Sequence, residues 1–205
     1  MRVRYRGYQG FGLSPILVLV IVNLLVFIVI FIVSKIAPQL TLILISILGL
    51  PPPGYFLAQP WTIVTSMFLH IEFWHIFANM ITLYFFGSYL NRLVGRKKFL
   101  LVYFSGGILG NIFLLLLAGF SPYNIALGAS GGVFALAGAL AVMRPRLPVI
   151  IFPLPVPIPL WVAVIGGFLI LSFLPFVAWQ AHLGGLVLGL IAGYIFRKRE
   201  RFFFF

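Results

Sequence analysis

Three short stretches of the chain carry side chains able to break a covalent bond, and they lie far apart in sequence. Ser130 stands in Leu127-Gly128-Ala129-Ser130-Gly131-Gly132. A serine hydroxyl becomes a useful nucleophile when a neighbouring base takes its proton. Gly128 and Gly131 on either side let another backbone approach. Serine is also a favoured helix N-cap, and the unsatisfied N–H groups of a helix start form an anion site of the kind an oxyanion needs. His182, in Ala181-His182-Leu183-Gly184-Gly185, supplies an imidazole for the base. His75 and Asn79 are four residues apart, so they share a helix face, and both donate hydrogen bonds. They are candidate oxyanion donors.

The scarcity of acids removes competing chemistries. The 205 residues include only two, Glu72 and Glu200. With no Asp, and with Glu200 in a basic tail, no carboxylate completes a Ser-His-Asp triad, and a Ser-His dyad is what remains. An aspartic protease and a His-Glu-x-x-His metalloprotease are excluded on the same ground. The absence of Cys excludes disulfides and thiol chemistry. A zinc site from His70, His75 and His182 is arithmetically possible. His70 is expected to lie above the other two, however, and no acid is placed to orient a ligand. Neither a metal nor a cofactor is expected.

The elements that must position these residues follow from composition. The chain is 63% apolar and 8% charged, against about 25% charged in a soluble domain. Its surface must therefore face lipid. A net charge of +12 is also a mark of nucleic-acid binders. The basic residues instead form four clusters bordering apolar spans, as in the positive-inside pattern. The clusters are Arg2, Arg4 and Arg6; Arg92, Arg96, Lys97 and Lys98; Arg144 and Arg146; and Arg197, Lys198, Arg199 and Arg201.

Six membrane helices are predicted near 14–34, 74–90, 99–119, 130–143, 149–174 and 181–196. Six crossings put every basic cluster on one side. The expectation is a multi-pass cell-membrane protein of one domain, 1–205, with cytoplasmic basic tails at 1–12 and 197–205. The first span is expected to be a retained helix rather than a signal peptide. Residues 42–50 are too apolar for a free loop and should lie in the interface or re-enter the outer leaflet. Pro153, Pro155, Pro157 and Pro159 should unwind the fifth span, so that its helix begins properly near Leu160. The loop 121–127 must dip into the membrane to reach Ser130, which is tolerated where backbone lines a wet cavity.

Counting back from the basic clusters at 1.5 Å per residue gives depths. Ser130 is fourteen residues before Arg144 and His182 fifteen before Arg197, so both sit roughly 21–22 Å from that boundary. Asn79 and His75 come out at roughly 20 and 25 Å. Four polar residues on three helices thus share a level, and polar groups inside a membrane mark function. Gly185, Gly189 and Gly193 form a smooth stripe on the last helix, and Ala135, Gly138 and Ala139 a small face on the fourth. Close packing of those faces would bring Ser130 and His182 within hydrogen-bond reach.

Together these motifs resemble the rhomboid intramembrane proteases. The matching residues are His75 and Asn79 on the second helix, Gly128 to Gly131 heading the fourth, and Ala181-His182 with Gly185 and Gly189 on the sixth. The resemblance spans residues 60–196. It implies an all-α bundle of six membrane helices with a large outer loop between the first two and a re-entrant loop before the fourth. It implies Ser130 as nucleophile and His182 as general base. His75, Asn79 and the backbone of Ala129 and Ser130 would surround the oxyanion, and His70 would support the site or line its water cavity. The Trp-Arg pair of the family's first outer loop is missing, since Trp61 has no Arg beside it. Phe134 replaces a frequent Tyr one turn after the serine, yet can still stack on the His182 ring. By the same resemblance the substrates would be transmembrane segments of other proteins, entering from lipid. The alternatives are a catalytically inactive rhomboid-like binding protein and a small channel or transporter. Transport would call for a mid-membrane charge, and none is present.

Overall fold

The computed structural model describes residues 14–120, 125–150, 156–174 and 177–201. It is predominantly helical. In chain order the helices are α1 (Pro15–Ile36), α2 (Pro38–Leu48), α3 (Pro53–Phe56), α4 (Thr62–Thr65), α5 (Phe73–Val94) and α6 (Arg96–Leu116). They continue with α7 (Ser130–Met143), α8 (Leu160–Ser172) and α9 (Trp179–Arg201). A two-residue antiparallel pair, β1 (Pro148–Val149) with β2 (Ile158–Pro159), joins α7 to α8. Proline opens α1, α2 and α3, where its missing N–H is no loss and its fixed φ suits the first turn. Gly95 alone separates α5 from α6, at φ 85°, a left-handed conformation that glycine adopts without a Cβ clash.

Helices stand where all six spans are predicted: α1, α5, α6, α7, α8 and α9. Three of them, α1, α6 and α9, are long and apolar enough to cross a membrane by length and composition. The fifth differs from the 149–174 span. Val149 belongs to β1, and α8 starts at Leu160, where the proline-rich run ends. At 13 residues α8 is only about 20 Å long. The apolar segment after α1, too apolar for a free loop, forms helix α2 up to Leu48. The first basic cluster, residues 121–124 of the dipping loop, Pro153, Pro155 and the Phe202–Phe205 tail lie outside the described residues.

α7 is the centre of the bundle and packs against α5, α6, α8 and α9. Eleven of its 14 residues are buried, as expected of a helix apolar on every side. α1 is the opposite case. It buries Ile16, Leu19, Asn23 and Ile30 and exposes Leu17, Val18, Ile21, Leu25, Ile28 and others along the rest of its surface. That much exposed aliphatic surface fits a hydrocarbon solvent. At the far end of α7, Arg197 Nη1 reaches the Val142 carbonyl at 3.4 Å. Lys98 Nζ lies 5.3 Å from the centre of the Phe196 ring. Three of the four basic clusters therefore sit at one end of the bundle.

Candidate active site

Ser130 is the first residue of α7, and His182 lies in the first turn of α9. The seam between those helices is made almost without side chains. A Cβ on Gly185 would strike the Gly131 carbonyl, one on Gly189 that of Ala135, and one on Gly193 that of Ala139. Each stripe repeats every four residues, so one smooth helix face lies against another along three turns. α6 closes the third side: a Cβ on Gly106 would meet Ala135, and one on Gly110 the Ala181 carbonyl. The Gly106-x-x-x-Gly110 spacing carried this signal in the sequence and belongs to the same packing.

The result is a contact between side chains 52 residues apart. His182 Nε2 and Ser130 Oγ are 2.9 Å from each other. In the tautomer with its proton on Nδ1, His182 accepts the Ser130 O–H at Nε2. Among the described residues no acid orients the imidazole. Phe134, one turn after Ser130, stacks on it with ring centroids 4.5 Å apart and planes at 26°. An aromatic face fixes the ring plane where a carboxylate would fix it by charge.

The oxyanion side is built around Gly128. Its φ of 120° suits only glycine, and an added Cβ would lie 2.7 Å from the His75 ring. His75 therefore packs on the backbone immediately before Ser130. His70 meets the His75 ring edge-on at 4.9 Å. Its Nε2 accepts the Ala129 N–H at 3.4 Å. The Ala129 N–H is thus directed at His70 rather than at an open oxyanion position. Asn79 is buried and its Nδ2 donates to the His75 carbonyl at 2.9 Å. No group of three or more His, Cys, Asp or Glu among the described residues is arranged to hold a metal ion.

Motif reading alone did not find the polar belt that holds this segment in place. Leu50 and Ala126 exchange both backbone hydrogen bonds, at 2.8 and 2.9 Å. The Gly128 N–H donates to the Ser66 carbonyl at 2.9 Å. Asn111 of α6 donates to the Ser66 hydroxyl and the Ile63 carbonyl, each at 2.9 Å. Thr65 donates to the Leu48 carbonyl at 2.7 Å, and the Trp61 indole N–H to that of Ile47 at 2.8 Å. Trp61 thus ties down the end of α2 without an arginine neighbour. Asn111 is 91% buried in an apolar helix, and that polarity was the available signal.

Comparison with known proteins agrees with this architecture. A family model described as a Rhomboid domain matches residues 57–199. The chain is 33% identical over 154 residues to Rhomboid protein 1, mitochondrial, of Saccharomyces cerevisiae, covering 67% of this chain and 42% of that protein. It is 32% identical over 148 residues to RHOMBOID-like protein 1 of Arabidopsis thaliana, covering 72% of this chain and 37% of that protein. It is 40% identical over 80 residues to Rhomboid protease GluP of Bacillus subtilis, covering 39% of this chain and 15% of that protein. The chain spans less than half the length of these curated relatives.

Proposed function

The chain belongs to the rhomboid family, and from that premise we propose that it is an intramembrane serine endopeptidase cutting transmembrane segments of other proteins. The observation that carries this reading is the 2.9 Å contact between Ser130 Oγ and His182 Nε2. Ser130 attacks the scissile carbonyl while His182 takes its proton, then returns it to the leaving amine. A water activated by His182 hydrolyses the resulting ester and frees Ser130. The tetrahedral oxyanion is held by the Ser130 backbone N–H and by His75 and Asn79. Asn79 Nδ2 carries two N–H bonds, so one can stay on the His75 carbonyl while the other turns to the oxyanion. His70, by engaging the Ala129 N–H, positions the strand of backbone that carries Ser130.

A transmembrane helix hides its scissile amide in internal hydrogen bonds. Gly, Pro or other weak helix formers near the cut should therefore favour unwinding into the site. The protein works as one membrane-embedded domain, and the gathered basic clusters support cytoplasmic termini in a cell membrane.

The test is labelling of the detergent-solubilised protein by a fluorophosphonate. We expect the intact protein to label, Ser130→Ala to lose all labelling, and His182→Ala to label at least about a hundredfold more slowly. A folded intact protein that never labels would overturn the reading and leave an inactive rhomboid-like binding protein.

A further inference from the structure

At the head of α5 stands a carboxylate that the proteolytic mechanism leaves unused. Glu72 is the N-cap of that helix, with extended backbone at φ −103° and ψ 140°. An acid at an N-cap ordinarily accepts a hydrogen bond from the first turn. The Glu72 side chain makes no such capping bond and is exposed. The N-cap position faces the third residue of the helix, as in a capping box, and here that residue is His75. The two are close enough for their charges to interact. His75 in turn packs on Gly128, two residues before Ser130. Glu72 therefore stands at the rim of the site, about 5 Å beyond His75 along the helix axis. We propose that Glu72 is a specificity-determining residue, selecting substrates that carry a Lys or Arg on the outer side of the scissile bond and within about one helical turn of it.

The proposal rests on the protease reading and names the substrate class that reading leaves open. Three observations point to a basic residue. The first is charge complementarity. Of the two acids in the chain Glu200 lies in the basic tail, so Glu72 is the acid that the sequence places at the Ser130 end. Lys35, in the last turn of α1, lies over the Phe31 ring of its own helix at 5.3 Å. The second is the medium. A carboxylate at the margin of an apolar phase is poorly hydrated, and an arriving cation gains more there than in bulk water. The third is the surface beside it. Ile71, the preceding residue, is 49% exposed and offers an apolar bed for the methylene stem of a Lys or Arg whose head meets the carboxylate. Basic residues near the end of a membrane helix carry their heads to the interface, which is the level of Glu72.

The experiment measures cleavage of reporter transmembrane segments by the full chain in phosphatidylcholine liposomes. Once the cut is mapped, the reporters differ at one position, about four residues to its outer side, which carries Lys, Gln or Glu. The intact protein should cut the Lys reporter about fivefold faster than the Gln reporter, the scale of a partly screened ion pair. Glu72→Gln should abolish that preference, Glu72→Asp should keep it, and Glu72→Lys should reverse it in favour of the Glu reporter. Each variant is judged by a ratio of its own rates, so a loss of folded protein cancels. A preference that survives Glu72→Gln would overturn the proposal. So would a Glu72→Gln that slows all three reporters alike, since the carboxylate would then act through His75 and not on the substrate. Equal cutting of the three reporters by an intact protein that labels with the fluorophosphonate would sink this inference and leave the protease reading standing. An intact protein that neither labels nor cuts would sink both.

Discussion

Two layers of the molecule meet at Ser130, and they are held by different physics. Below it, the α7–α9 seam is backbone against backbone, with Gly185, Gly189 and Gly193 seated on the carbonyls of Gly131, Ala135 and Ala139. Around it, Leu50, Trp61, Thr65, Ser66 and Asn111 join irregular segments through one or two hydrogen bonds each. The seam gains from many close dispersion contacts and tolerates no added atom. The belt depends on a few polar groups, each of which would be expensive to leave unpaired in an apolar medium. The seam therefore sets where Ser130 and His182 meet. The belt sets the shape of the backbone beside them.

This contrast can be broken most severely at the seam. Gly189→Val would drive a branched side chain into the Ala135 carbonyl, where neither helix can yield without losing its neighbours. We expect a loss of about 3 kcal/mol or more and no fluorophosphonate labelling, read by unfolding in detergent alongside the labelling rate. Equal stability in this variant would mean that the helices slide apart freely and that the close seam is not what fixes Ser130 against His182.

Asn111→Ala tests the belt. It removes two hydrogen bonds and leaves the Ser66 hydroxyl and Ile63 carbonyl to find other partners, for about 1–3 kcal/mol. The bundle should remain assembled. Labelling should slow by more than the stability loss explains, because the backbone at Gly128 hangs from Ser66. A variant that loses stability and keeps its full labelling rate would show the belt to be scaffolding alone. Trp61→Phe should have the smallest effect, about 1 kcal/mol from one indole hydrogen bond at the rim. Its labelling should be close to that of the intact protein.

The sequence proved legible where periodicity and a fixed boundary coincide. A helix rises by a constant 1.5 Å per residue, and charged residues mark its end. Counting back from Arg144 and Arg197 therefore placed Ser130 and His182 at one level, and the glycine stripe named the face that meets. Phe134 was readable for the same reason, being one helical turn from Ser130. The start of α8 was readable from proline chemistry, since no helix interior accepts that run.

The irregular segments gave no such ruler. His70, Leu50 and Ala126 belong to loop segments with no period and Ser66 to a single short turn of helix, and their partners lie dozens of residues away, 59 for His70 and Ala129. Which carbonyl each donor finds depends on where several loops come to rest over the bundle, and no local pattern encodes that. The sequence by itself determined the apolar surface, the helices and the common level of Ser130 and His182 along them, because apolar composition and helical rise act residue by residue. Only the tertiary structure decided that His70 takes the Ala129 N–H, that Asn79 turns back on His75, and that Asn111 supports the segment before Ser130. Those outcomes are competitions among buried donors for a few acceptors, and they are settled only when every neighbour is in place.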